Sequence, residues 1–291
     1  MKRMKQLTLL FLGLIFMGLQ GCTHEDRDYT VVPVDTAQLS YDAADAVNGA
    51  RLYNDFTAEE TGFVGPVDPN VNLAHITEGR KDFYRCKQCH AWDLKAKFGS
   101  YIDRGPRTGR PDVSDVQLTN LRLADITELF EGIKGTGGGA VNLARTADGT
   151  KPELGGNDHP DFGTILSDEL IWDLVKYLKE GAFDTDGLYA INTVGAYPTG
   201  KATYADIGRD GNATAGDAFY AINCASCHGA DGQTLDLEGR KIGRFAREKP
   251  YELQIKVVSG QLGSSMGHTP TTFEDMKNLL KALADETKYP N

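Results

Sequence analysis

A five-residue pattern of two cysteines and a histidine, Cys-x-x-Cys-His, occurs twice in this chain, at residues 86–90 and 224–228. This spacing is typical of c-type haem attachment, in which two thiols bond to the haem vinyl groups and the adjacent histidine becomes an axial ligand of the iron. A zinc site is the alternative use of these residue types. Two copies, in a chain with one further cysteine, favour haem. The sequence therefore predicts two covalently attached haem c groups.

Each motif residue has an expected role in this interpretation. The cysteines bind the haem covalently, and the histidines ligate its iron. Because four of the five cysteines are used in this way, no pair remains for a disulfide. The assigned residues are Cys86, Cys89 and His90 for the first haem, and Cys224, Cys227 and His228 for the second.

The N-terminus has the features of an export signal. Basic residues precede an apolar run at 7–19, which is too short to span a bilayer. Residues 19–22 resemble the bacterial lipobox, which is cleaved before a cysteine that then carries lipid. We therefore expect a signal peptide at 1–21, an acylated Cys22, and a polar tether at 22–40. A secreted protein with a free Cys22 thiol is the alternative.

The charge of the chain limits its partners. The formal net charge is −10, and removal of Lys2, Arg3 and Lys5 with the signal would lower it by three, to −13. An acidic body argues against binding to nucleic acid or to anionic membrane surfaces. It is compatible with docking to a basic redox partner, or simply with solubility.

The two halves of the chain repeat one helical plan. We predict a mainly α protein with an N-terminal domain at 41–182, a linker with a short β-hairpin at 183–210, and a C-terminal domain at 211–291. Gly216, Tyr220 and Cys224 lie on one helical stripe, and Gly79 and Phe83 hold comparable positions before the first motif. Further helices are predicted at 78–90, 124–134, 167–180 and 251–260, and from a capping box at 271–274 to 286.

This plan resembles two class I cytochrome c domains in tandem, over residues 78–181 and 211–286. The sequence Tyr-Arg-Cys-Lys-Gln-Cys-His-Ala-Trp-Asp at 84–93 is also similar to one group of bacterial two-haem cytochromes. In that group a Gly-x-Leu-Tyr stretch, to which Gly49 to Tyr53 corresponds here, precedes the first haem domain. The resemblance implies electron transfer without an assigned enzymatic activity.

The resemblance also implies a sixth iron ligand in the second half. Class I domains supply a methionine from the Gly-rich loop before the closing helix, and Met266 lies at that position. His268 is the competing candidate. Met276 lies within the predicted closing helix, where we expect it to pack in the core.

The first half departs from this pattern, because no methionine occurs between Met17 and Met266. His159 stands where the family places its methionine, which predicts a bis-histidine pair with His90. His75 is the second candidate, and an open sixth position is the third. Imidazole stabilises Fe(III) more than a thioether does, so we expect the first haem to have the lower potential.

Two features beside the first motif have more than one interpretation. Trp92 would either cover a haem edge or pack in the core. The loop at 99–112 contains Arg104, Arg107 and Arg110, which are candidates to pair with a haem propionate or are simply solvated.

These predictions favour a lipid-anchored, periplasmic or outer-membrane electron carrier between redox partner proteins. A two-haem enzyme, either a peroxidase or a dehydrogenase of a small sulfur compound, is the alternative. A peroxidase needs an open iron, and a sulfur-oxidising cytochrome would be expected to use a cysteine ligand for which no cysteine remains. A haem-based sensor with an open first haem is the third class.

Overall fold

Capping residues mark the start of several helices. The computed structural model describes residues 35–59, 85–105, 113–135, 162–164 and 166–291. Asp125, Ser167 and Asn212 each accept a hydrogen bond from a first-turn backbone N–H of their helix. The described helices are α1 Thr36–Ala43, α2 Ala46–Glu59, α3 Cys86–His90, α4 Ile126–Lys134, α5 Asp168–Lys176 with a π-helical extension Tyr177–Gly181, α6 Ala213–Asn223, α7 Ala225–His228, α8 Ile242–Glu248, α9 Pro250–Ser259 and α10 Phe273–Leu283.

One antiparallel hairpin interrupts the helices. Strand β1, Ala190–Val194, pairs with β2, Lys201–Ala205, in a register that places Ile191 opposite Tyr204. The hairpin predicted within residues 183–210 is therefore confirmed.

Of the helix predicted at 78–90, the structure describes residues 85–90. Arg85 has an extended backbone, and the helix begins at Cys86. In this position the Arg85 Nε donates to the Asn54 carbonyl at 2.9 Å and lies 3.5 Å from the Asp55 carboxylate, so the side chain ties the motif to α2. Residues 60–84, including Gly79 and Phe83, lie outside the described part of the chain.

Two predicted boundaries also shift. Helix α1 begins at Thr36, inside the stretch predicted as a tether, because Tyr41 is buried against the first core. The capping box of α10 pairs Thr272 with Asp275, one residue later than predicted, and α10 ends at Leu283, since the Asp275 carboxylate can accept from the Thr272 backbone.

The described residues from Thr36 onward form one compact unit with two hydrophobic cores. Each core contains a close crossing of two helices at a glycine. A Cβ on Gly49 in α2 would lie 2.0 Å from the Asp173 carbonyl oxygen of α5, and one on Gly216 in α6 would lie 1.8 Å from that of Asn278 in α10. No side chain fits at either crossing, so the helices pack backbone to backbone.

No helix within the described ranges has the length and hydrophobicity needed to cross a membrane. The predicted signal peptide and Cys22 lie outside those ranges.

Candidate functional site

The first motif forms the short helix α3 and buries its histidine. The Nδ1 of His90 lies 3.3 Å from the Val116 carbonyl oxygen. An N–H donated to that carbonyl leaves Nε2 with the free lone pair, which is the tautomer that metal ligation through Nε2 requires. Cys86 and Cys89 are half-buried, and burial raises the pKa of the Cys86 thiol to about 12.

The second motif has the same arrangement with one difference. Cys224 ends α6, and α7 carries Cys227 and His228. The Nδ1 of His228 is buried and has no hydrogen-bond partner in the described part of the chain. Burial lowers the pKa of His228 and raises that of Cys224 to about 11. Burial therefore favours the neutral imidazole, which is the form that binds a metal.

A tyrosine supports each motif from the preceding long helix. The Tyr53 hydroxyl donates to the Ala91 carbonyl at 2.6 Å, and the Tyr220 hydroxyl donates to the Gly229 carbonyl at 2.8 Å. Both carbonyls belong to the residue directly after the motif histidine, and both residues have a positive φ, 60° for Ala91 and 84° for Gly229. The two motifs are therefore held by equivalent contacts.

These contacts identify the helix that supports the first motif. It is α2, which carries Gly49 and Tyr53 at the same interval as Gly216 and Tyr220 in α6. Gly79 and Phe83, which were predicted to keep this interval nearer to the motif, lie outside the described residues, and the Gly-x-x-x-Tyr interval of α2 is a second signal in the sequence.

Met266 lies on the loop between α9 and α10, as predicted. It is half-buried against the second core, its carbonyl accepts from Gln261 N at 2.9 Å, and its N–H donates to Ser264 Oγ at 3.1 Å. His268 is exposed, and its Nδ1 contacts the Val258 carbonyl. Met276 is fully buried in the second core, so its predicted packing role is confirmed.

The sixth-ligand candidates of the first half, His159 and His75, lie outside the described residues. Near the first motif, Trp92 is buried, and its Nε1 donates to Asn54 Oδ1 at 3.1 Å. This environment matches the packing interpretation of Trp92.

The loop arginines are only partly described. Arg107 and Arg110 lie in the gap between residues 105 and 113. The Arg104 guanidinium stacks 4.3 Å from the Tyr101 ring centroid, and its buried Nε has no hydrogen-bond partner in the described structure. A buried guanidinium N–H that makes no hydrogen bond to the described residues is compatible with a haem propionate as its partner.

The donor set at the motifs fits a haem c group better than a metal ion held by the protein alone. Each motif offers two thiols and one buried imidazole. Among the described residues, no three His, Cys, Asp or Glu side chains are grouped to hold a metal ion. Thioether formation needs no such cluster, because the porphyrin supplies four of the six iron ligands.

Comparison with known proteins gives a match in the second half of the chain. Residues 211–278 match the family model described as Cytochrome C oxidase, cbb3-type, subunit III. No curated protein and no solved structure matches the chain. The match supports a cytochrome c with covalently bound haem c and a haem-based role in electron transfer.

Proposed function

We propose that this protein is a two-haem c-type cytochrome that carries electrons between redox partner proteins and is anchored to a membrane by acylated Cys22. The main support is the equivalence of the two motifs. In each one a tyrosine hydroxyl holds the carbonyl after a buried histidine, and a glycine brings the tyrosine's helix against the closing helix. The second of these sites lies in the segment that matches a cytochrome c family model.

The residues around each haem bind and orient it. A bound haem c supplies one-electron chemistry between Fe(III) and Fe(II). The two cysteines of each motif would hold the haem by thioether bonds, and the buried histidine would ligate its iron. The proposed haem-binding residues are Cys86, Cys89, Cys224 and Cys227, and the proposed iron ligands are His90 and His159 for the first haem and His228 and Met266 for the second.

The two sites should have different potentials for two independent reasons. Two imidazoles favour Fe(III) more than an imidazole and a thioether do. In addition, His90 Nδ1 can donate to the Val116 carbonyl, which raises the basicity of the ligating nitrogen, whereas His228 Nδ1 has no partner among the described residues. Both effects place the first haem below the second in potential, so an electron that enters at the first site passes to the second.

The proposed location follows from the lipobox resemblance at residues 19–22. Several acyl chains anchor a lipoprotein stably. They would hold the carrier at a membrane, either facing the periplasm or in the outer membrane, beside its partners. The acidic net charge of −10 suits partners with a basic docking surface.

A redox titration of the full-length protein tests the ligand assignment. We expect two one-electron waves, and a weak Met–iron absorption near the red end of the visible range. Met266→Ala should abolish that band and leave the first haem unchanged. The matched control, Met276→Leu, alters a buried core methionine and should keep the band. His159→Ala should move the lower wave and open the first iron to carbon monoxide.

Three results would contradict the proposal. A mass corresponding to one haem would exclude the second site. Ready binding of carbon monoxide by the native first haem would favour the sensor or peroxidase instead of the carrier. An N-terminus other than acylated Cys22, with no partition into detergent, would exclude the lipid anchor.

A further inference from the structure

Helix α9 is shared by the two cores. Leu253, Val257 and Val258 pack in the second core, whereas Ile255 is buried in the first. Tyr251 contacts both. A helix that is buried on all sides is positioned by its neighbours on each side. Its position therefore depends on the first half as well as on the second.

The first half holds α9 by two hydrogen bonds. The Gln254 side-chain Nε2 donates to the Trp92 carbonyl at 3.0 Å, and Trp92 lies two residues after His90. At the C-terminal end of α9, Arg51 Nε donates to the Ser259 carbonyl at 3.1 Å. Arg51 lies on α2 between Gly49 and Tyr53, so it belongs to the helix that supports the first motif.

The C-terminal end of α9 also holds the Met266 loop. The last carbonyls of a helix have no partner within it. Here Val257 accepts from Thr269 N at 3.0 Å, and Val258 is contacted by His268 Nδ1. The next carbonyl, that of Ser259, accepts from Arg51. Three successive carbonyls therefore anchor two residues of the loop and one residue of the first half.

The loop folds back closely on this helix end. A Cβ on Gly260 would lie 2.7 Å from the Met266 carbonyl oxygen, and Gly260 has a φ of 81°. A shift of the helix end would therefore move Met266 directly. A guanidinium at this end is favoured by the helix dipole, and a charged donor makes a stronger hydrogen bond than a neutral one.

We propose that Arg51 is a positioning residue for Met266, so that the first half of the chain sets the sixth-ligand loop of the second haem. This inference rests on the proposed Met266 ligation. It goes further, because it makes the stability of one iron–ligand bond depend on a residue that belongs to the other haem's half. Loss of the Arg51 contact loosens the end of α9 and lowers the cost of moving Met266 off the iron.

The test uses the oxidised full-length protein and imidazole as the probe. Imidazole that displaces Met266 removes the Met–iron band, so its apparent Kd measures the cost of opening the loop. We expect Arg51→Ala to lower this Kd about tenfold, the effect of losing one charged hydrogen bond. Arg51→Lys should restore most of the native value.

A matched control separates this role from a general effect on folding. Arg209 is also partly exposed and donates to a backbone carbonyl, that of Asp186, but it does not contact α9 or the Met266 loop in any described hydrogen bond. Arg209→Ala should leave the imidazole Kd unchanged. A purely structural role for Arg51 would lower the denaturation midpoint without changing this Kd.

Each outcome decides a different question. An Arg51→Ala protein with the band intact and a Kd within twofold of the native value overturns the inference but leaves the Met266 assignment standing. A native protein without the band overturns both. If Arg51→Ala fails to fold, Gln254→Leu gives the second measurement, since it removes the hydrogen bond from α9 to the Trp92 carbonyl. A native-like Kd for that variant also counts against the inference.

Discussion

The glycines at the two helix crossings give the sharpest test of the packing that supports the motifs. Gly216→Ala would place a Cβ 1.8 Å from the Asn278 carbonyl oxygen, and Gly49→Ala would place one 2.0 Å from that of Asp173. The nearest atoms are backbone atoms, which cannot rotate away. The helices would have to separate by more than about 1 Å to reach ordinary contact distance.

The expected effect follows from two opposing terms. Alanine is favoured over glycine within a helix by up to about 1 kcal/mol. Overpacking in a well-filled core costs about 1–3 kcal/mol, and such short backbone contacts belong at the upper end of that range. We therefore expect each variant to be destabilised by about 2 kcal/mol. For a chain of this size the thermal midpoint should fall by about 4–8 °C.

Gly132 in α4 provides the matched control. It is also helical, but a Cβ there would have no heavy atom within 4 Å, so Gly132→Ala should keep or raise the midpoint. Thermal unfolding followed by far-UV circular dichroism and by haem absorbance would measure all three variants. If Gly216→Ala were as stable as Gly132→Ala, α6 and α10 would not cross as described. The position of Tyr220, which depends on that crossing, would then be wrong as well.

Two further predictions concern the motifs directly. Tyr53→Phe and Tyr220→Phe each remove the donor to the carbonyl after a motif histidine, so each should cost about 1 kcal/mol in denaturant unfolding; a loss in one variant alone would contradict the equivalence of the sites. Because burial lowers the pKa of His228, the unfolded chain binds a proton more readily than the folded one. The stability that His228 contributes is therefore complete above its unfolded pKa of about 6.5 and declines as the pH falls below it. Denaturant unfolding of the haem-free chain over this pH range should show the decline, and His228-dependent stability that increased in acid would refute the argument.

Local signals predicted most of the elements correctly. Ser167 caps α5, Gly260 ends α9, and the hairpin lies within residues 183–210, because each depends on a few adjacent residues. The capping box of α10 was displaced by one residue, since Thr271 and Thr272 are adjacent and only the tertiary position of α10 selects Thr272 as its cap.

Contacts between distant segments were not predictable in the same way. The Val116 carbonyl that faces His90 and the Ser259 carbonyl that accepts from Arg51 are backbone groups, which carry no sequence signal. The residue types of α9 gave its helical form, but they could not indicate that Ile255 packs in one core and Val257 in the other.

The place of Gly49 and Tyr53 explains why the internal repeat was only partly recognised. In the second half, Tyr220 lies one helical turn before Cys224, so the support helix and the motif are continuous in sequence. In the first half, residues 60–84 separate α2 from Arg85, yet Tyr53 makes the same contact to the same carbonyl. What the site requires is the position of a hydroxyl relative to the carbonyl after the histidine. Because that requirement concerns position in space and not distance along the chain, a long segment between the helix and the motif leaves it satisfied.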